Sequence, residues 1–379
     1  MTRPLNTALD GLRLSPIRRF SDLAKSTPGC VSLTLGEPGE NTPDAVSAHV
    51  GADLAAHLTH YPPNNGYPFL KEAISGWEAK RGLSYAPDQL IVTDGATEAL
   101  MCALTIVLNP GDEAIIPTPA FLLYDSLVRL NRATPVALDT TPDGFQVRRD
   151  RLEAALTPAT KAIVVTSPNN PTGCVLDDQS MDALADAAIE HDLYVICDDV
   201  YSELAYKSGY RRLLVAHPEL RERAVVVQSF SKPWAMTGWR LGWAESTPEL
   251  ISAMAKVHQY AVSSVPAFLQ HAAVEALRTD TTPMRESYRR RRDVTLKALE
   301  EMGLPVTRPE GAFYAFPDIR GLGLSSEDFC ERAIREAGVA LVPGTAFGAE
   351  GFARLSYACD KDTLRLGLER LSGFVSTLG

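Results

Sequence analysis

Four stretches in the middle of this chain end on residues that could do chemistry, each directly after an apolar run. Residues 162–166 lead into Ser167-Pro168-Asn169-Asn170, and 193–197 into Asp198-Asp199-Val200-Tyr201. Residues 225–228 lead into Ser229-Phe230-Ser231-Lys232, and 90–92 into Thr93-Asp94-Gly95-Ala96-Thr97. An amide, a carboxylate, an amine and a glycine-led helix start are thus offered together, with Arg240 eight residues after Lys232. Pyridoxal 5'-phosphate (PLP) asks for this set. Its aldehyde needs a lysine amine, and its pyridine nitrogen needs a carboxylate to keep it protonated. Its phenolate oxygen needs an amide or tyrosine donor. Its phosphate needs helix N-terminal N–H groups, hydroxyls and an arginine, and a flat side chain should cover the ring.

Something must hold these residues at one edge. The apolar runs at 90–93, 114–117, 134–138, 162–166, 193–197, 225–228 and 241–244 are short and bounded by Gly, Pro, Asn or Asp. They alternate with helical patterns, which is the signature of a mostly parallel sheet covered on both faces. Met181, Leu184, Ala185, Ala188 and Ile189 form one face of a helix over 178–191, with Asp177 or Asp178 as its N-cap. A second helix is expected over 97–108. In an open α/β sheet, ligands bind beyond the carboxyl ends of the strands, where the polar residues above lie. Residues 1–45 read as irregular and proline-punctuated. Beyond 275, helices over 283–302, 326–337 and 361–378 mix with short strands near 313–316 and 354–358. The expected organisation is α/β, with a large domain over 46–274 and a small α+β domain made of 1–45 and 275–379.

Composition narrows the function further. The 379 residues are 45% hydrophobic and 22% charged, with a net charge of -10, which argues against a nucleic-acid surface. The basic run Arg289–Arg292 reads as a solvated helix face. Six cysteines without a C-x-x-C pair suggest reduced, buried thiols and a cytoplasmic setting. No apolar stretch suggests a signal peptide or a membrane span. His57 and His60 lack the partners of a metal site, so no metal is expected.

The segment from Ser229 to Arg240 resembles the Schiff-base signature of class I/II aminotransferases, the fold-type I PLP family. The resemblance runs along nearly the whole chain. Leu35-Gly36-Glu37-Pro38 with Thr42-Pro43 looks like the family's N-terminal motif, and Tyr61 to Gly66 and Leu70 like its tyrosine-to-glycine stretch. Pro110-Gly111-Asp112-Glu113, Pro117-Thr118-Pro119-Ala120-Phe121 with Tyr124, and Arg354-Leu355-Ser356 follow in the family's order. The resemblance implies a fold-type I PLP-transferase whose Lys232 carries the cofactor and moves the proton. Asp198 would pair with the pyridine N–H, Asn170 and Tyr201 would donate to the phenolate oxygen, and Phe121 would stack on the ring. Gly95, Ala96, Thr97, Ser229, Ser231 and Arg240 would bind or border the phosphate. Tyr61 would reach the phosphate of a neighbouring subunit, implying a homodimer. Arg354 would clamp the substrate α-carboxylate, helped by Asn170 and the Gly36 backbone.

Blander roles compete at several positions. On a strand end only one of Asp198 and Asp199 points inward, and the resemblance favours Asp198. Phe121 could be an ordinary core aromatic, Thr97 a helix cap and Tyr61 plain packing. Lys232, Asp198, Asn170 and Arg240 have poor structural alternatives, because lysine and aspartate are rarely buried unpaired. The implied reaction is ping-pong transamination between an L-amino acid and a 2-oxo acid. A PLP lyase performing elimination, and a non-catalytic PLP-binding regulator, are the alternatives on this scaffold. The substrate is weakly encoded. An aspartate-specific branch of the family has a lysine where this chain has Thr97, which leaves Arg18 or Arg19 to read any second acidic group, against the commoner case of a solvated arginine. Pro38-Gly39-Glu40-Asn41 also departs from the family's acidic-aromatic-acidic pattern after the proline.

Overall fold

The fold is built on seven strands: β1 (Leu90–Thr93), β2 (Glu113–Thr118), β3 (Thr134–Asp139), β4 (Thr160–Thr166), β5 (Tyr194–Asp198), β6 (Ala224–Ser229) and β7 (Gly242–Glu245). All seven coincide with the apolar runs to within two residues. In this computed structural model, which describes residues 3, 5–12 and 14–378, they pair in the order β1-β7-β6-β5-β4-β2-β3. Neighbours from β6 to β3 are parallel, whereas β7 runs against both β1 and β6. The apolar run of β7 looks like its parallel neighbours because it too is covered on both faces.

Alternation along the strands separates two cores. Leu90, Val92, Val195, Cys197, Val226 and Trp243 join one apolar cluster. Ile91, Ile196, Val225, Val227 and Ala244 join another on the opposite face. The helix Gly95–Val107 closes the second face by packing across β5, β6 and β7, and it starts two residues earlier than the sequence suggests. The helix Asp178–Glu190 has Asp177 as its cap, accepting from the Ser180 N–H at 2.7 Å; this satisfies one of the donors a helix start leaves free.

A separate apolar cluster joins Phe20, Ala24 and Leu33 to Phe313, Tyr314, Leu355, Tyr357 and Leu371. Around it lie the sheet of Val342–Pro343, Ala353–Ser356 and Tyr314–Ala315 and the helices Thr282–Glu301, Ser326–Ala337 and Lys361–Ser376. Val31–Ser32 pairs in parallel with Val339–Ala340, tying the N-terminal segment to this body.

Two expectations fail here. The first 45 residues are not simply irregular: Pro16–Ser26 is a helix with Pro16 in its first turn and Phe20 and Ala24 buried. Its charged residues hide the short apolar face that packs against the C-terminal body. The basic run is not wholly solvated either. Arg292 is buried and donates to the Pro309 carbonyl at 3.1 Å, while Arg291 pairs with Glu40 at 2.7 Å, so half of the run is structural. The six cysteines are free, five buried and Cys30 half-buried. Among the described residues, no helix is long and apolar enough to cross a membrane.

Candidate active site

The carboxyl ends of β1, β4, β5 and β6 open on a cavity of about 480 Å³. Its wall carries Ala96, Thr97, Phe121, Asn170, Asp198, Tyr201, Ser229, Ser231, Lys232, Arg240 and Arg354, so most of the anticipated residues meet in one place. The N-terminal segment supplies Thr34, Gly36 and Glu37, and the C-terminal body Tyr314.

Lys232 sits in the turn after β6. That turn is shaped by the Ser231 N–H donating to Ser229 Oγ at 3.0 Å and the Phe230 N–H to the Leu241 carbonyl at 3.1 Å. The half-buried Lys232 Nζ donates to the Gly36 carbonyl at 2.6 Å, a role for Gly36 that differs from the carboxylate contact expected of its backbone. Burial lowers the Lys232 pKa to about 8; Arg354 acts in the same direction, and Glu37 and Asp198 against it. The amine is thus available in its neutral, nucleophilic form at moderate pH.

Asp198 ends β5 and is buried. Burial raises its carboxyl above the usual range, while hydrogen bonds from Tyr124 and the Val200 N–H, and the charge of Lys232, pull it back. The Tyr124 hydroxyl lies 2.6 Å from Asp198 Oδ2 and 2.8 Å from Thr166 Oγ1. Asp199, one residue on, faces the other side of the sheet. Its carboxylate stands 3.9 Å from Arg212, and burial pushes its pKa to about 7. Strand alternation therefore separates the two aspartates, with only Asp198 on the cavity.

The Arg354 side chain is enclosed. Nη1 donates to Asn170 Oδ1 at 2.9 Å and Nη2 to the Thr34 carbonyl at 2.8 Å, and the guanidinium lies over the Tyr314 and Phe347 rings. Arg354 is 1% exposed and has no carboxylate partner among the described residues; Nε has no hydrogen-bond partner. A buried cation without an anion is costly, and an anionic ligand at the cavity offsets that cost. With its oxygen held by Arg354, the Asn170 amide keeps its NH₂ group for an acceptor. Tyr201 and Tyr314 share a hydroxyl–hydroxyl bond of 2.9 Å.

Gly95 opens its helix at φ 70°, and a Cβ built there would meet Arg240 Nη2 at 2.6 Å. Arg240 is itself left-handed at φ 55° and donates to the carbonyls of Thr237 and Asp94 at 3.1 and 3.3 Å. Its side chain is 47% exposed and lies against the helix start. Phe121 borders the cavity edge-on to Tyr124, with centroids 6.2 Å apart. Tyr61 lies elsewhere, 89% exposed beside Pro62, Pro266 and Phe268.

Sequence reasoning left Tyr124, Thr34, Glu37 and Tyr314 without roles. Tyr124 stood within a quoted motif, and its spacing to Asp198 carried no signal because the contact crosses 74 residues. Arg18 borders the cavity, but Arg19 turns away to Glu327 and Glu331. The departure after Pro38 is structural. Glu40 is engaged by Arg291 and Tyr288, and a Cβ on Gly39 would fall 2.3 Å from the Ala358 carbonyl oxygen.

These residues fit PLP. A lysine of lowered pKa, a buried carboxylate and a helix N-terminus under an arginine are the donor set the cofactor demands. The sequence profile of aminotransferase class I and II matches residues 28–371. A putative aminotransferase of Bacillus subtilis, YugH, is 43% identical over 99% of both chains. A probable N-acetyl-LL-diaminopimelate aminotransferase of the same organism is 39% identical over 99% of this chain and 96% of its own. The solved aspartate aminotransferase of Thermus thermophilus with maleate superposes with a TM-score of 0.92 at 37% identity, over 98% of this chain and 100% of that one.

Proposed function

The chain belongs to the class I and II aminotransferases and is a PLP-dependent enzyme moving an amino group between an amino acid and a 2-oxo acid; we propose that Lys232 holds the cofactor and performs the proton transfer. The observation that carries this reading is the convergence of Lys232, Asp198, Asn170, Arg240 and Arg354 on one cavity. When bound, PLP supplies an electron sink for the charge left as the substrate α-proton departs.

The residues divide the remaining work. Lys232 would hold the cofactor through its amine. Its amine, lowered to a pKa of about 8 by burial and so close to what an acid–base group needs at neutral pH, would take the substrate α-proton and return it. Asp198, whose carboxylate form is favoured by the Tyr124 hydroxyl against the effect of burial, would pair with the pyridine N–H. Asn170 and Tyr201 would donate to the phenolate oxygen, and Phe121 would cover the ring. The helix start at Gly95, Ala96 and Thr97, with Ser229, Ser231 and Arg240, would take the phosphate. Arg354 receives the substrate α-carboxylate, oriented by Asn170 and by its stacking on Tyr314, with the Gly36 backbone beside it.

Two features extend the reading to the whole enzyme. The exposed Tyr61 suits a homodimer in which it reaches the partner's phosphate site, and a cytoplasmic setting suits the six free cysteines. We also assign residues 46–274 to a large cofactor-binding domain, and 1–45 with 275–379 to a small one.

The test is chemical. Protein treated with borohydride in the presence of PLP should carry the reduced cofactor on Lys232, and Lys232→Ala should lose exchange of the substrate α-proton. Label on another lysine overturns the assignment. Products decide the reaction outcome: a 2-oxo acid with pyridoxamine phosphate marks transamination, whereas free ammonia marks elimination.

A further inference from the structure

We propose that His258 is a buried imidazolium that positions the cofactor's phosphate from behind, by neutralising Glu98 and holding it against the start of the helix Gly95–Val107. This rests on the assignment of the phosphate to that helix start. His258 does not line the cavity, so it is a positioning residue rather than a catalytic one.

His258 lies on the helix Pro248–Ala261 and is fully enclosed. Its Nδ1 stands 2.7 Å from Glu98 Oε1, and its Nε2 stands 2.8 Å from the Asn64 carbonyl oxygen. A carboxylate and a backbone carbonyl can only accept. A neutral imidazole has one N–H and would leave one of these contacts without a proton, whereas the imidazolium donates to both. Burial by itself pulls the His258 pKa down, but Glu98, the Asn64 carbonyl and Asp94 outweigh it and raise the pKa above the ordinary histidine value.

The other groups near the ring leave this balance intact. The helix Gly95–Val107 adds only Cys102, whose thiol burial pushes up to about 12, so it stays neutral. β1 brings no titratable group. Asp88 in the turn before β1, His60 and Tyr61 beside Asn64, and Glu249 and Lys256 on the ring's own helix are all exposed. Asp94 has the Arg240 guanidinium 4.0 Å from its carboxylate.

Glu98 explains why the cation matters. It stands in the first turn of the helix, and its Oε2 accepts from the Asp94 N–H at 2.5 Å, which fixes the backbone where the helix begins. The same carboxylate places a negative charge about one turn from the phosphate cradle, where like charges repel. His258 cancels that charge, so Glu98 orders the helix start without weakening its pull on an anion. Through the Asn64 carbonyl, His258 also ties the segment that follows Tyr61 to the same helix.

The experiment compares pyridoxamine 5'-phosphate with pyridoxamine, which lacks the phosphate, by calorimetry on the full-length chain freed of cofactor. The ratio of the two affinities isolates the phosphate and cancels the titration of Lys232, which both ligands meet alike. In the wild type the ratio should hold above the ordinary histidine pKa of about 6.5. It should then fall as pH rises through the raised His258 pKa, where the imidazolium is lost. His258→Gln should lower the ratio roughly fivefold or more, part of what a charge-assisted hydrogen bond contributes, and should abolish the alkaline fall. Glu98→Gln removes the anion that raises the His258 pKa, so it should shift the fall to lower pH; it decides the question where His258→Gln does not fold. Nitrogen NMR should show one histidine ring protonated on both nitrogens about one pH unit above the ordinary value, and that signal should be missing from His258→Gln. A ratio that His258→Gln leaves within about twofold of the wild type overturns the proposal. So does an alkaline fall that neither variant moves, or a His258 ring that is neutral at that pH. Failure of the underlying reading has its own signature: Arg240→Gln would leave the ratio unchanged as well, whereas it lowers the ratio if the phosphate sits at this helix start.

Discussion

Asp198 meets opposing demands at the level of a single side chain. Burial favours its neutral acid, yet a partner for a protonated pyridine must be an anion. The Tyr124 hydroxyl at 2.6 Å tilts the balance toward the carboxylate, because a hydrogen bond to a charged acceptor contributes about 1.5–3 kcal/mol. Tyr124→Phe removes that donor and lets the Asp198 pKa climb further. Protonation then overtakes the carboxylate at a higher pH. The acidic limb of kcat/KM should move upward, and PLP should be released earlier on lowering the pH, followed by its absorbance. An unmoved acidic limb would show that Tyr124 does not tune Asp198. Asp198 itself was legible from its place after an apolar run, whereas Tyr124 was not. Tyr124 lies in the helix Leu123–Leu130 and Asp198 at the end of β5, and which strand end a helix packs against is invisible to local spacing.

Among the elements, β7 packs closely on the start of the helix Gly95–Val107 beside the phosphate cradle. A Cβ on Gly242 would stand 2.7 Å from the Gln228 carbonyl oxygen, 2.9 Å from the Ala96 nitrogen and 2.9 Å from the Gly95 carbonyl carbon. All three are backbone atoms, on β6 and on the helix start, so a side chain can enter only by displacing both from β7. Gly242→Ala should cost about 1–3 kcal/mol of stability, the usual range for overpacking, and should weaken PLP binding at the same time. Denaturant unfolding and equilibrium dialysis would report the two losses. Unchanged PLP affinity would sink the view that this contact sets the cradle. Most element positions could be read from the sequence, because apolar runs and helical periodicity are local. The direction of β7 and the helix Pro16–Ser26 could not. The first depends on which strands it joins, and the second on an apolar face of few residues that matters only once the C-terminal body covers it.

For the whole molecule, the question is what completes the site. Tyr61 and Tyr260 are 89% and 87% exposed, among the largest apolar side chains the chain leaves uncovered, and a homodimer would bury such residues in a self-complementary surface. If Tyr61 serves the partner's site, inactive Tyr61→Ala and Lys232→Ala subunits should complement each other when refolded together. The hybrid has one site with both lesions and one with neither, so it should recover roughly half the wild-type activity per dimer. No recovery would place Tyr61 outside the chemistry of the partner. The sequence by itself determined the strand order along the chain, the residues at the strand ends and the demand for a PLP-like group, since residue type and alternation are local properties. Only the tertiary structure decided which of those residues share a cavity. It set Asp198 and Asp199 on opposite faces of one sheet, brought Tyr124 to Asp198 across 74 residues, enclosed Arg354 with no carboxylate partner among the described residues, and placed Arg18 at the cavity while Arg19 turned away. Each of these follows from the packing of elements distant in sequence, which side-chain type and spacing do not specify.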